Sequence, residues 1–157
     1  MQQQSQSDNI YIAEIEISYM PKYKASDLPQ IKHSGDLYQL LLHSWDKSKL
    51  QFVEQFKVVL INRANRILGI CTLSTGSASG TIADPKLVFA VALKANANSI
   101  VLVHNHPSGN LMPSANDKAL TQKMAECGNW LDLKVLDHLI ITAEGYYSFA
   151  DEGAMLM

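Results

Sequence analysis

The stretch SIVLVHNHPSGNLMPSAND, residues 99–117, decides how this chain is built. Its first five residues are short, apolar and largely β-branched, the composition of a strand buried on both faces. Two histidines two apart at the end of that strand, His104 and His106, project to one side because side chains alternate with period two. Pro107 and Gly109 then break the strand and turn the chain. Ser114 and Asp117 sit where a helix begins, the end at which backbone N–H groups point outward and anionic groups are favoured. A strand end and a helix start joined by one short loop can therefore bring His104, His106 and Asp117 around a single point.

Outward from this stretch the chain reads as alternating elements. The helix opened by Ser114 is expected over 115–127, with Gly128 placed to stop it. Residues 133–142 return as a strand, Glu144 and Gly145 turn, and 146–149 form a last strand. On the N-terminal side, Asp84 followed by Pro85 starts a helix running to about 95, burying Leu87, Val88, Val91 and Leu93 or a subset of them. Residues 74–81 are a Gly/Ser/Thr loop with neither Walker nor dinucleotide spacing, so no phosphate cradle is expected there.

The β-rich stretches 52–62 and 66–73 flank the polar run Asn62-Arg63-Ala64-Asn65, a hairpin signal. Ser34 is placed to cap a helix over 36–45 that puts Leu37, Leu40, Leu41 and Trp45 on one face. Residues 20–32, with Pro21 and Pro29, are a connector. The near-alternation of Ile10, Ile12, Ile15 and Ile17 predicts a strand over 10–19, and residues 1–9 form a Gln/Ser-rich disordered tail. The order mixes hairpins with strand–helix–strand units, so the expected fold is α/β, a mixed β-sheet sandwiched between helices. A single domain over 10–157 is expected, with its motif-bearing core at about 50–150.

The 157 residues are 47% hydrophobic and 18% charged, with a formal net charge of −2. That is a poor electrostatic footprint for a nucleic-acid binder, so nucleic acid is not expected as the main partner. Cys71 and Cys127 are far apart and in no C-x-x-C pair, which suits a reducing compartment. With no apolar run of membrane-spanning length and no leader-like h-region, a cytoplasmic protein is expected. The oligomeric state is left open.

Two neutral imidazoles and one carboxylate make a catalytic ligand set. Structural zinc sites are closed by four protein ligands, whereas catalytic ones leave a position for water, whose pKa falls to about 7. The ligand types point to one Zn²⁺ per chain, although Mn²⁺ or Fe²⁺ suit the same donors. A general base is still needed, and Glu54, just before the strand expected over 56–61 within the β-rich stretch, is the candidate.

The pattern H-x-H-x7-S-x2-D, with an upstream Glu, resembles the JAMM motif of the JAB/MPN metalloprotease superfamily. The wording His-Asn-His-Pro-Ser-Gly, then Pro113-Ser114 and Leu136-Asp137-His138-Leu139, is similar to RadC-like proteins in particular, as are Glu54-Gln55-Phe56 and Leu60-Ile61-Asn62. The resemblance implies a JAB/MPN, cytidine-deaminase-like three-layer fold with His104, His106 and Asp117 as zinc ligands. It implies Glu54 as the acid/base that activates water, and Ser114 as hydrogen-bond donor to the oxyanion formed when a carbonyl is attacked. RadC-like proteins usually carry an N-terminal helix-hairpin-helix region, for which this chain has no room, so it resembles the short, stand-alone form.

Plainer readings stand beside these. Ser114-x-x-Asp117 is also a capping box that needs no metal, and both roles can hold at once. His33 and His43 read as ordinary surface or core residues, and His138 as core or as support behind the ligands. There is no H-E-x-x-H for a thermolysin-like protease, and no H-x-E with P-C-x-x-C for a zinc deaminase. The contiguous His-Asn-His is not the dispersed triad of HNH nucleases. The expected function is a zinc-dependent peptidase or isopeptidase acting on a peptide or protein substrate. The alternative is a non-catalytic metal-binding scaffold tied to DNA repair or mobile elements.

Overall fold

Parity along two central strands organises the molecule. The computed structural model describes residues 12–76 and 83–155. Within it β1 (Gln55–Ile61), β2 (Ile67–Thr75), β3 (Ser99–Asn105), β4 (Lys134–Ile141) and β5 (Tyr146–Ser148) form one sheet in the order β2-β1-β3-β4-β5. β3 and β4 are parallel and every other neighbouring pair is antiparallel.

Val59 and Ile61 of β1, Val101 and Val103 of β3, and Leu139 and Ile141 of β4 pack with Leu37, Tyr38 and Leu41 of α1 (Ser34–Ser44). The alternate residues, Phe56, Val58, Leu60, Ile100 and Leu102, pack on the opposite face. They meet Val88, Phe89 and Ala92 of α3 (Pro85–Lys94) and Met124 of α4 (Ala115–Trp130). The mixed sheet between helices expected from the sequence is therefore the fold. Because β3 and β4 are parallel, the chain needs a long crossover between them, and α4 supplies it. The same parity puts His104 and His138 on the α4 side of the sheet. Among the described residues no helix is long and apolar enough to cross a membrane.

Several local expectations are corrected. The strand predicted over 10–19 is not formed: Ile10 and Tyr11 lie outside the described residues, and 12–20 has no regular structure. Ile12, Ile15 and Ile17 are 86%, 87% and 94% exposed. Alternation prepares a segment for a sheet but supplies no partner. The first N-terminal residues to reach the sheet edge are Pro29 to Ile31, where Gln30 bridges Arg66. The disordered tail expected over 1–9 and most of the loop over 74–81 also lie outside the described residues.

Ser34 is the first residue of α1 and not its cap. Its hydroxyl bonds the Tyr146 hydroxyl at 3.0 Å and the carboxylate of Asp151, while Asp36 accepts from the backbone N–H groups of Lys32 and His33. The first β-rich stretch starts three residues late because Asp46 caps a single helical turn, α2 (Lys47–Leu50). In α3, Leu87 and Leu93 stay exposed, and Phe89 and Ala92 take the core-facing positions beside Val88. Gly128 does not stop α4. A Cβ there would lie 2.4 Å from the Leu133 carbonyl oxygen, so its glycine serves the close return of the chain towards β4.

Candidate metal centre

The end of β3 and the start of α4 meet over one point. His104 is 1% exposed and lies parallel to the Phe56 ring, with centroids 6.2 Å apart. His106 continues the strand by one step, its N–H donating to the Ile141 carbonyl at 3.0 Å. The chain then turns through Gly109, whose φ is +83°, and its N–H returns to the His106 carbonyl. This turn lays the Asn110 carbonyl oxygen 2.5 Å from His106 Nδ1. A carbonyl can only accept, so Nδ1 carries the hydrogen and His106 Nε2 presents its lone pair.

Ser114 caps α4 by accepting from the Asp117 N–H at 3.1 Å, and Asp117 Oδ2 accepts from the Ser114 N–H and hydroxyl, both at 2.7 Å. Tied by Oδ2 to the cap, Asp117 turns Oδ1 towards His104 Nε2 at 3.2 Å. The two Nε2 atoms of His104 and His106 are 3.0 Å apart, and one ligand atom from each of the three residues lies within 4.8 Å of the others.

This donor set fits a metal. A tetrahedral ion with bonds of about 2.0–2.1 Å spaces its ligands by roughly 3.3 Å; His104 Nε2 stands 3.0 and 3.2 Å from its two neighbours, and His106 Nε2 is 3.7 Å from Asp117 Oδ2. The electron-rich atoms converge at distances that a cation between them, proton or metal, makes favourable. Burial pushes the Asp117 carboxyl up, but hydrogen bonding and charge interaction with His104, together with the Ser114 hydrogen bonds, more than reverse this. The carboxyl is held well below the usual carboxylate range, so Asp117 is an anion there. A metal held by these three residues alone would keep a coordination position free.

The other two residues named from the sequence are placed differently. Ser114 is joined to the cluster through Asp117, and its hydroxyl hydrogen points at that carboxylate. Glu54 stands one residue before β1, where the antiparallel pairing of Phe56 with His104 continues towards His106. It is half-buried, and no hydrogen bond or ion pair joins it to the three ligands among the described residues. Its backbone is fastened instead. The fully buried Asn105 accepts from the Gln55 N–H at 2.7 Å and donates to the carbonyls of Leu50 and Val53 at 2.8 and 2.9 Å. An asparagine between the two histidines thus clamps the loop that delivers Glu54. Sequence reading passed over it, though a polar residue in a fully buried strand must find partners somewhere.

A second layer lies behind His104. His138 Nε2 is 2.8 Å from His104 Nδ1, and His138 Nδ1 is 2.6 Å from the Thr121 hydroxyl. His138 stacks on Phe149 at 4.9 Å and has no exposed surface. Burial, reinforced by the neighbouring His104, pushes its pKa well below the ordinary histidine value, so it is neutral. Thr121, one turn beyond Asp117, was not singled out in the sequence.

A cleft of about 270 Å³ opens beside His106, lined by Gln51, Pro107, Ser108, Thr142 and Glu144 among others. A larger one, about 370 Å³, lies by the N-terminus of α1 against Asp137 and Asp151 and touches none of the ligand residues.

The family model described as RadC-like JAB domain matches residues 31–154. A UPF0758 protein of Flavobacterium johnsoniae is 49% identical over 100 residues, covering 64% of this chain and 44% of the relative. One from Caldanaerobacter subterraneus is 46% identical over 104 residues, covering 61% and 45%. One from Clostridium novyi is 36% identical over 133 residues, covering 85% and 57%. The chain spans about half the length of the curated relatives it matches, and their names state no activity.

Proposed function

Because this chain belongs to the RadC-like JAB domain family, we propose that it is a zinc-dependent hydrolase of the JAMM type, cleaving an amide bond in a peptide or isopeptide. One observation carries the reading: two imidazole nitrogens and a carboxylate oxygen converge on one point, and one of the three residues, His106, borders an open cleft.

His104, His106 and Asp117 would hold the zinc, which when bound supplies Lewis acidity and makes water acidic near neutral pH. The residues of the chain do the rest. Glu54 takes the proton of the attacking water and returns it to the leaving amine nitrogen, the two-way transfer asked of a general acid/base. Its carboxylate, without a hydrogen-bond partner among the described residues, keeps its lone pairs for that proton. The Ser114 hydroxyl reaches a developing oxyanion by turning its hydrogen away from Asp117 Oδ2, which keeps the Ser114 backbone N–H as its partner. The cleft beside His106 takes the chain flanking the scissile bond.

Metal content by elemental mass spectrometry, paired with screening of peptide and isopeptide substrates, tests this. Glu54→Gln is expected to keep one zinc per chain and lose hydrolysis. Activity that survives Glu54→Gln removes that residue's role. Zinc bound at these ligands with no hydrolysis of any substrate class would instead favour a metal-stabilised scaffold.

A further inference from the structure

Hydrogens can be assigned along the second layer without ambiguity, starting from its far end. Thr121 Oγ1 lies 2.7 Å from the backbone carbonyl oxygen of Asp117. A carbonyl only accepts, so the threonine hydrogen is committed to it. Thr121 can then only accept from His138, 2.6 Å away, which puts a hydrogen on His138 Nδ1. His138 Nε2 lies 2.8 Å from His104 Nδ1, and a His104 that binds a metal through Nε2 keeps its hydrogen on Nδ1, so His138 Nε2 accepts it. His104 therefore carries a hydrogen on Nδ1, and Nε2 is the nitrogen that faces Asp117 Oδ1 and His106 Nε2 and is open to a metal. Every donor in the chain has one acceptor, and both bonds made by His138 are buried.

We propose that Thr121 and His138 are positioning residues that set the tautomer and ring orientation of His104 for metal binding. The inference rests on the reading of His104 as a metal ligand. Buried partners of ligating imidazoles fix their tautomer and raise their basicity. Here the partner is a second imidazole, which could equally well present Nε2–H, and the threonine decides between the two. A valine at 121 removes that decision. His138 can then protonate Nε2 and donate to His104 Nδ1, forcing the His104 hydrogen onto Nε2, where it points at Asp117 instead of leaving a lone pair for the ion. The arrangement also couples α4 to the site at two points, since the carbonyl that commits Thr121 belongs to Asp117.

The experiment compares wild type, Thr121→Val and Thr121→Ser, titrated with zinc against a chromophoric chelator. Nitrogen-15 NMR of the metal-free proteins reads the His138 ring. Thr121→Val, nearly isosteric, is expected to lower zinc affinity by ~10–100-fold and to move the His138 hydrogen from Nδ1 to Nε2. Thr121→Ser restores both, which a purely packing role for the threonine methyl would not allow. Thr121→Val with zinc affinity within about twofold of wild type, well short of that loss, overturns the proposal while leaving the ligand assignment intact. So does a wild-type His138 protonated on Nε2. Wild type that takes up no zinc defeats the ligand assignment itself, and this inference with it.

Discussion

His104 and His106 are two residues apart and aim at one point, yet they are held in opposite ways. His104 belongs to the core: it is 1% exposed, lies against Phe56 and is backed by His138 and Thr121. His106 is braced by the Asn110 carbonyl, four residues on in the same loop, and borders the open cleft. Folding the sheet against α4 sets His104, whereas a loop turn sets His106. The arrangement therefore has an inner jaw set in the core and an outer jaw set by a loop at the surface. That division is useful where one side of an ion must stay fixed while the other admits a substrate.

Removing each histidine in turn gives the sharpest break in this comparison. Both His104→Ala and His106→Ala are expected to abolish stoichiometric zinc. They should separate in the metal-free protein, where urea unfolding reads the fold alone. His104→Ala leaves a hole in the core and strips His138 Nε2 of its partner, costing about 2–4 kcal/mol. His106→Ala, at the rim, should cost under about 1 kcal/mol. Equal losses would mean that His104 is no more a part of the core than His106.

The residue between them tests a second side of the same division. Asn105→Ala orphans the Gln55 N–H and the carbonyls of Leu50 and Val53, for a cost of roughly 2–3 kcal/mol. Its side chain points to the α1 side of the sheet, away from His104 and Asp117, so on the proposed function zinc affinity should hold while hydrolysis falls with the loosened Glu54 loop. A loss of zinc as large as that of His104→Ala would contradict this separation of metal jaw from acid/base loop.

What the sequence disclosed follows the same line. The H-x-H pair and the S-x2-D turn are local patterns, so their residues can be named from the chain alone, and the unbroken apolar run at 99–103 announced a strand covered on both faces. His138 meets His104 only through the parallel pairing of β3 with β4, whose register shifts between Ile100 and Val101. No spacing along the chain encodes that shift. Thr121 is hidden for a related reason, because a threonine in the second turn of a helix reads like any other. At 12–20 the isoleucine alternation described a conformation that nothing in the sheet takes up. Gly128 read as a helix stop, while its need is set by Leu133 packing against it.

The smallest expected effect probes the outer jaw. Gly109 adopts a φ of +83°, and a Cβ built there meets nothing within 4 Å. Gly109→Ala therefore adds no clash, only the cost of holding an alanine in left-handed backbone, about 1–2 kcal/mol. The loop can shed that cost by relaxing, and relaxation pulls the Asn110 carbonyl away from His106 Nδ1. His106 then has no fixed hydrogen position and samples orientations that do not point Nε2 at Asp117. Zinc affinity should fall by about tenfold at most, the equivalent of about 1.4 kcal/mol, with metal-free stability changed by less. His104 and its backing are untouched, so the His138 NMR signal should stay where it is in wild type. If Gly109→Ala instead shifts that signal, the two jaws are one mechanical unit and the loop reaches further into the core than its hydrogen bonds indicate.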